Sequence, residues 1–160
     1  MENDNTITPV DDAGMRLVYK NLLQAWDKAD AKAFAELFDE DGSVIGFDGT
    51  HVKGKNNIGQ YLTSIFKDHK TGTYISIVKE VWMIAPKMAA LHAVVGMIPA
   101  GKSDIEPSIN AVQTAIIKKD GEKCRFLVLQ NTPAAYHGRP GDSDHLTNEL
   151  RKELALLKGG

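Results

Sequence analysis

Four long β-type runs, Thr73–Met83, Met88–Ile98, Ile109–Lys119 and Cys124–Asn131, follow one another with no helix-sized gap between them. The connections are Ala85-Pro86-Lys87, residues 99–107 and Asp120-Gly121-Glu122. All are too short for the crossover helix that joins parallel neighbours, so consecutive strands must run antiparallel, as a meander. Pro86 and Asp120-Gly121 mark the two firmest hairpins. The last run turns polar at Gln130-Asn131-Thr132 and stops at Pro133, because proline cannot donate to a strand ladder.

The final strands are apolar on both faces. In Cys124–Asn131, Phe126 and Val128 point one way while Leu127 and Leu129 point the other. A sheet with one face in water alternates more cleanly, so something covers the second face. Two candidates are open: the C-terminal segment Ser143–Lys158, with Leu146, Leu150, Leu154 and Leu157 on one stripe, or a second subunit.

The first half of the chain is helical. Met15, Val18, Tyr19, Leu22, Leu23 and Trp26 recur at three- and four-residue steps, which predicts a helix over about 11–28 capped by Asp11 or Asp12. Residues 1–9 read as a disordered lead. Asp30 caps a second, short helix with Phe34, Leu37 and Phe38 on one face, ended by Glu40-Asp41-Gly42. Ser43–Phe47 reads as a short strand closed by Asp48-Gly49, and His51–Lys55 as the lead into a third helix. That helix carries Ile58, Tyr61, Leu62, Ile65 and Phe66 in an amphipathic pattern and ends over His69–Gly72. The layout is α+β: three helices packed in a strongly curved, mostly antiparallel sheet, closing a cone-shaped barrel around an apolar cavity, with an extra C-terminal helix. The expected boundaries are 1–9 for the lead, 10–140 for the domain and 141–160 for the helical extension.

With 160 residues, one domain with a sizeable core is expected. A net charge of −2 with no basic run argues against a nucleic-acid surface. No apolar stretch approaches membrane-spanning length, and the acidic start MENDNTITPVDD lacks the pattern of a secretory leader. The single cysteine, Cys124, rules out an internal disulfide and fits a reducing cytoplasm.

Several residues are candidates for chemistry, each beside a plainer reading. Gly49–Asn56 (GTHVKGKN) nearly matches a phosphate-binding loop, but Asn56 stands where a magnesium-binding Ser or Thr is needed, and a meander lacks the parallel sheet. The weaker reading, an anionic group held at the start of the third helix, stays open. The five histidines have no metal-ligand spacing. His92, mid-strand, is either a satisfied sheet histidine or a pocket acid–base group; His137 is a loop histidine, functional or solvated. Asp48 is a general base at a strand end or the first residue of an Asp-Gly turn. Asn110, Gln113, Gln130 and Asn131 are amides in otherwise apolar strands, so they either bond one another or line a polar patch of the cavity. Trp26, Tyr61, Phe66 and Trp82 are large aromatics on the surrounding elements, filling the core or lining a pocket.

Trp26 with Asp30, AFAELFDEDGSVIGFDG (33–49), Gly54 with Ile58, and QNTPAAYHGRP (130–140) together resemble the nuclear transport factor 2-like superfamily. Within that superfamily the chain most resembles the SnoaL-like SgcJ/EcaC-type family, associated with enediyne and other polyketide pathways. The resemblance covers about residues 12–140 and implies a cone-shaped barrel with a deep pocket, as a homodimer packed through the sheet. Cys124 departs from it, standing where many relatives have tryptophan. It implies a hydrophobic small molecule as ligand and acid–base chemistry without a cofactor, with Asp48 or His92 moving protons. It equally admits a non-catalytic binding or assembly module. No flavin or nicotinamide fingerprint is present, and no cofactor is expected.

Overall fold

The structure, a computed structural model, describes residues 8–159. Helix α1 spans Thr8–Asp27, α2 Ala31–Glu36 and α3 Lys55–Asp68; strands β1 (Phe38–Ile45) and β2 (His51–Lys53) separate α2 from α3. The meander follows as β3 (Thr73–Ala85), β4 (Met88–Ile98), β5 (Ala111–Asp120) and β6 (Lys123–Pro133), and α4 (Pro140–Gly159) closes the chain. The six strands make one sheet in the order β2-β1-β6-β5-β4-β3. The four meander strands pair antiparallel as expected, while β1 pairs parallel with β6. Register shifts in β1, in β3 and at Leu127 of β6, which is skipped opposite Ile116 and Ile117 of β5, are bulges, and bulges bend the strands that carry them. The bulge at Leu127 puts Phe126 and Leu129 both in the main core, in place of the expected simple alternation. The α+β cone read from the sequence is the observed fold.

The core forms where the helical stripes meet the concave face. Met15, Tyr19, Leu22, Ile58, Phe38, Leu91, Ile117 and Phe126 are all almost wholly buried there. Burial at this depth contributes about 1.5–3 kcal/mol per large apolar side chain. Alternation along the strands sets the faces: Leu91, Ala93, Ala115 and Ile117 join α1 in the main core, while Val94 and Val112 face α4. Leu146 and Leu150 of α4 pack on that outer face with Ile75, Val94 and Ile105. Of the two coverings expected for the second face, α4 supplies one.

Several element limits differ from expectation. Helix α1 begins at Thr8, so Thr8 and Pro9 of the expected lead are helical, and residues 1–7 lie outside the described residues. Asp11 and Asp12 therefore sit inside the helix, and Asp12 Oδ2 accepts from Arg16 Nε at 2.9 Å. Asp30 caps α2 as expected, its Oδ1 accepting from Ala33 N–H at 2.9 Å. Strand β1 starts at Phe38 rather than Ser43, running through the Glu40-Asp41-Gly42 stop signal, because that turn-like triplet lies in the bulge opposite β6. Strand β2 replaces the expected lead into α3, its three residues pairing with Ser43–Ile45. Gly54, at φ 95°, caps α3 in a left-handed conformation suited to glycine, and its N–H donates to Gly42 O at 2.7 Å.

Candidate functional site

A cavity of about 360 Å³ opens between the helices and the concave face of the sheet. Helix α1 supplies Leu22, Leu23 and Trp26; α3 supplies Tyr61, Leu62 and Ile65; β1 and the turn after it supply Val44–Asp48; the sheet supplies Tyr74, Met97, Gln113, Leu129 and Asn131. The volume suits a drug-sized or smaller molecule, and the mostly apolar lining with a few polar groups is the usual make-up of such a site.

The polar groups gather on one wall. Gln113 and Asn131 are paired across β5 and β6 and face the cavity from the same side of the sheet. Gln113 is 3% exposed, and its Oε1 accepts from the Tyr19 hydroxyl, itself 1% exposed, at 2.5 Å. Burial pushes the Tyr19 phenol well above its ordinary pKa, and Tyr74 reinforces the shift, so the group stays a donor. Burial also raises the Tyr74 phenol, to about 12. There the Asn131 side chain opposes the shift by donating a hydrogen bond to the phenol oxygen, and the Asp27 carboxylate adds to it. The Tyr74 N–H donates to Asp27 Oδ1 at 3.1 Å, and desolvation raises the Asp27 carboxyl pKa. Trp26 lies beside Tyr74 with ring centroids 5.4 Å apart, and meets Phe66 edge-on at the same distance. Two atoms behind this wall, Trp26 Nε1 and Asn131 Oδ1, are shut from solvent and have no hydrogen-bond partner among the described residues. A buried polar group left so costs about 1–3 kcal/mol, which makes the pair a marked feature of the wall.

The mouth carries one charge. Asp48 is exposed, and its Oδ1 accepts from the Thr50 N–H at 3.0 Å. That bond and a second one from the Thr50 side chain hold its carboxyl below the usual range, so it is ionised. A Cβ placed on Gly46 would lie 3.5 Å from Tyr61 Oη and 3.8 Å from Asp48 Oδ1, so hydroxyl and carboxylate flank the same glycine. Among the described residues that line the cavity, Asp48 is the only charged one, and no Lys, Arg or His is present. Nor do three His, Cys, Asp or Glu side chains come together as metal ligands among the described residues.

The structure thus brings Trp26, Tyr61, Gln113, Asn131 and Asp48 to one cavity. It places the other sequence candidates elsewhere. Phe66 backs Trp26 without lining the space. Trp82 is 41% exposed and lies against His92, ring centroids 5.2 Å apart, and His92 Nδ1 pairs with Glu80 Oε2 at 2.8 Å. Strand parity puts His92 on the outer face, since its neighbours Leu91 and Ala93 face the core. Asn110 is buried near α4, its Nδ2 donating to Thr147 Oγ1 at 2.9 Å. Gln130 is exposed because Leu129 and Asn131 take the inner side, and His137 is exposed on the loop before α4. Tyr74 and Tyr19 were not among the sequence candidates for the site. The signal for Tyr19 was a hydroxyl on an apolar stripe opposite a lone amide in an apolar strand, two buried polar groups that needed each other.

No family model matches the sequence, and no curated protein does. Solved structures do. A domain of unknown function with a cystatin-like fold from Nostoc punctiforme superposes with a TM-score of 0.76 at 22% identity, over 96% of this chain and 100% of that one. The chain has the cystatin-like, nuclear transport factor 2-like fold. A putative scytalone dehydratase from Novosphingobium aromaticivorans matches at TM-score 0.67 and 14% identity, over 78% of this chain and 85% of that one. A ketosteroid isomerase-like protein from Erwinia carotovora atroseptica matches at 0.59 and 16% identity, over 76% and 95%. At these identities the likeness establishes the shared fold. Among the described residues no helix is long and apolar enough to cross a membrane.

Proposed function

We propose that this chain is a SnoaL-like pocket protein that binds a hydrophobic, polyketide-like small molecule and acts on it by cofactor-free acid–base chemistry. The observation that carries the reading is the cavity itself: an apolar chamber with a polar wall at Gln113 and Asn131 and one ionised carboxylate, Asp48, at its mouth. The apolar walls supply affinity and the amides fix orientation. In this reading Asp48 takes the proton. Its low pKa suits a substrate whose proton is already acidic, such as one on carbon beside a carbonyl. His92, paired with Glu80 outside the cavity, has no part in that transfer. Two proteins of the same fold, described as ketosteroid isomerase-like and as a putative scytalone dehydratase, lend the enzyme reading support. Fold alone does not decide chemistry.

The second reading is a non-catalytic binding or assembly module. It is favoured by the Thr50 bonds that occupy Asp48. Native mass spectrometry of protein from its own host's extract, with release of the bound molecule, separates the two. Turnover of that molecule by the wild type and its loss in Asp48→Asn supports the enzyme reading. Unchanged turnover in Asp48→Asn removes Asp48 as the base, and binding without turnover in the wild type establishes the module.

We further propose a homodimer packed through the half of the outer sheet face that α4 leaves uncovered, where Trp82 is 41% and Ile84 48% exposed. A cytoplasmic location fits the lone Cys124. Assignment to the SgcJ/EcaC-type family rests on the QNTPAAYHGRP stretch. Trp82→Glu should shift the protein to monomer in analytical ultracentrifugation; a dimer that persists refutes this interface.

A further inference from the structure

Of the five large apolar side chains that stand exposed among the described residues, four belong to two places on the outer side of the sheet: Trp82 and Ile84 on β3, Leu156 and Leu157 on α4. The fifth, Leu17, is on α1, across the sheet. The course of α4 explains the leucines. Thr147 Oγ1 accepts from the Asn110 amide, next to the first residue of β5. Leu150 Cδ1 would lie 3.0 Å from a Cβ on Gly96 of β4, and Leu154 packs on the cluster that holds Ile75 of β3. These three- and four-residue steps, at about 1.5 Å per residue, match the spacing of about 4.8 Å between strands, so α4 runs across the sheet. On that side β3 is the last strand. Leu157, three residues past Leu154 on the same stripe, therefore overhangs the sheet edge and stays 60% exposed. Leu156 is 71% exposed. It lies two turns on from Glu149, which pairs with Lys79, and away from Arg151, which holds Asp104 at 3.0 Å. It thus faces the half of the outer face that α4 leaves uncovered, where Trp82 and Ile84 lie farther along β3.

Two sheets packed face to face are exchanged by a two-fold axis lying in the plane between them. An axis along the strands would stack α4 on α4 and hold the sheets about 20 Å apart, against the about 10 Å of packed sheets. An axis across the strands sets each α4 past the end of the other sheet, lets the uncovered halves meet, and brings each overhanging turn to the far end of the other β3. We infer that the last turn of α4 is a clasp for a second copy of this chain: Leu156 and Leu157 of one protomer close on Trp82 and Ile84 of the other, twice per dimer. The inference rests on the proposed homodimer through this face, and goes further by making the helical extension part of the interface and fixing the direction of the two-fold.

The combined variant Leu156→Gln, Leu157→Gln keeps good helix formers and replaces side chains that are mostly in solvent, so its circular dichroism should match the wild type. In sedimentation over a concentration series its dimer should be at least about thirtyfold weaker than that of the wild type. A second measurement reads the contact itself. Ile84 lies nine residues beyond Ile75 on β3, about 30 Å at about 3.3 Å per residue, so it cannot reach Leu156 of its own chain. A disulfide needs Cα atoms within about 7 Å. In a Cys124→Ser background, protein carrying both Ile84→Cys and Leu156→Cys should therefore link into covalent dimers on mild oxidation, while either single-cysteine form should not. A wild type that is monomeric throughout, or a dimer untouched by Trp82→Glu, overturns the dimer reading and this inference with it. A dimer that Trp82→Glu breaks while the glutamine variant keeps wild-type affinity overturns the clasp alone. So does a double-cysteine protein that links no faster than either single-cysteine form.

Discussion

Tyr19 and Gln113 are 94 positions apart and tie helix α1 to the cavity wall through one buried hydrogen bond. Tyr19→Phe leaves the Gln113 carbonyl without a donor at a site 3% exposed, and Gln113→Leu leaves the Tyr19 hydroxyl without an acceptor at a site 1% exposed. Each orphaned group should cost about 1–3 kcal/mol. The double variant removes both partners together, so it loses only the net worth of the bond, about 1 kcal/mol. The single costs should therefore fail to add, by about 1–5 kcal/mol in favour of the double variant. Urea unfolding with a common m value reads this directly, since the midpoint then moves in proportion to stability. In thermal melts each kcal/mol corresponds to a shift of about 2–4 °C for a chain of this size. Single costs that add to within about 0.5 kcal/mol would mean that the two groups do not depend on one another, and the polar wall would lose its anchor to α1.

Three further outcomes follow from the same packing. A Cβ on Gly72 would lie 2.3 Å from the backbone oxygen of Ile98, so Gly72→Ala should destabilise by about 1–3 kcal/mol in urea, whereas Gly46→Ala meets ordinary contact distances and should be close to neutral. Thr147→Val removes the acceptor of the buried Asn110 amide and should cost about 1–3 kcal/mol, with faster amide exchange along α4. Tyr74 has a folded pKa near 12, raised above its unfolded value, so its contribution to stability is complete below pH 10 and is lost as pH rises through 12. Tyr74→Phe should accordingly leave the phenolate absorbance of the folded protein unchanged up to about pH 11, and a drop in that absorbance would show an ordinary, solvated phenol.

The meander was legible because connection length excludes crossovers, and the α1 stripe because Met15 through Trp26 keeps helical spacing without a break. Strand β1 was misread at its start because Glu40-Asp41-Gly42 has turn composition, yet its backbone is held against β6 by tertiary pairing: the Phe126 N–H donates to Leu37 O at 2.9 Å. Such pairing leaves no local mark, and β2, with three residues, is too short to show a period. The site was half legible for one reason. Amides in apolar strands announce that a polar surface exists, but not on which side. Both faces of β4, β5 and β6 are apolar, the inner one against α1 and the outer one partly against α4, so hydrophobicity alone cannot name the concave side. Once Tyr19 is matched to Gln113, parity assigns the rest: Asn131 joins Gln113 inside, Gln130 and Thr114 pair outside, and His92, registered against Thr114, goes outside with them. A single buried donor–acceptor match between a helix stripe and a strand therefore carries the information that the hydrophobic pattern lacks. It separates Asn131 from Gln130, and it moves His92 out of the cavity while leaving Asp48, on the turn after β1, as the charge at its mouth.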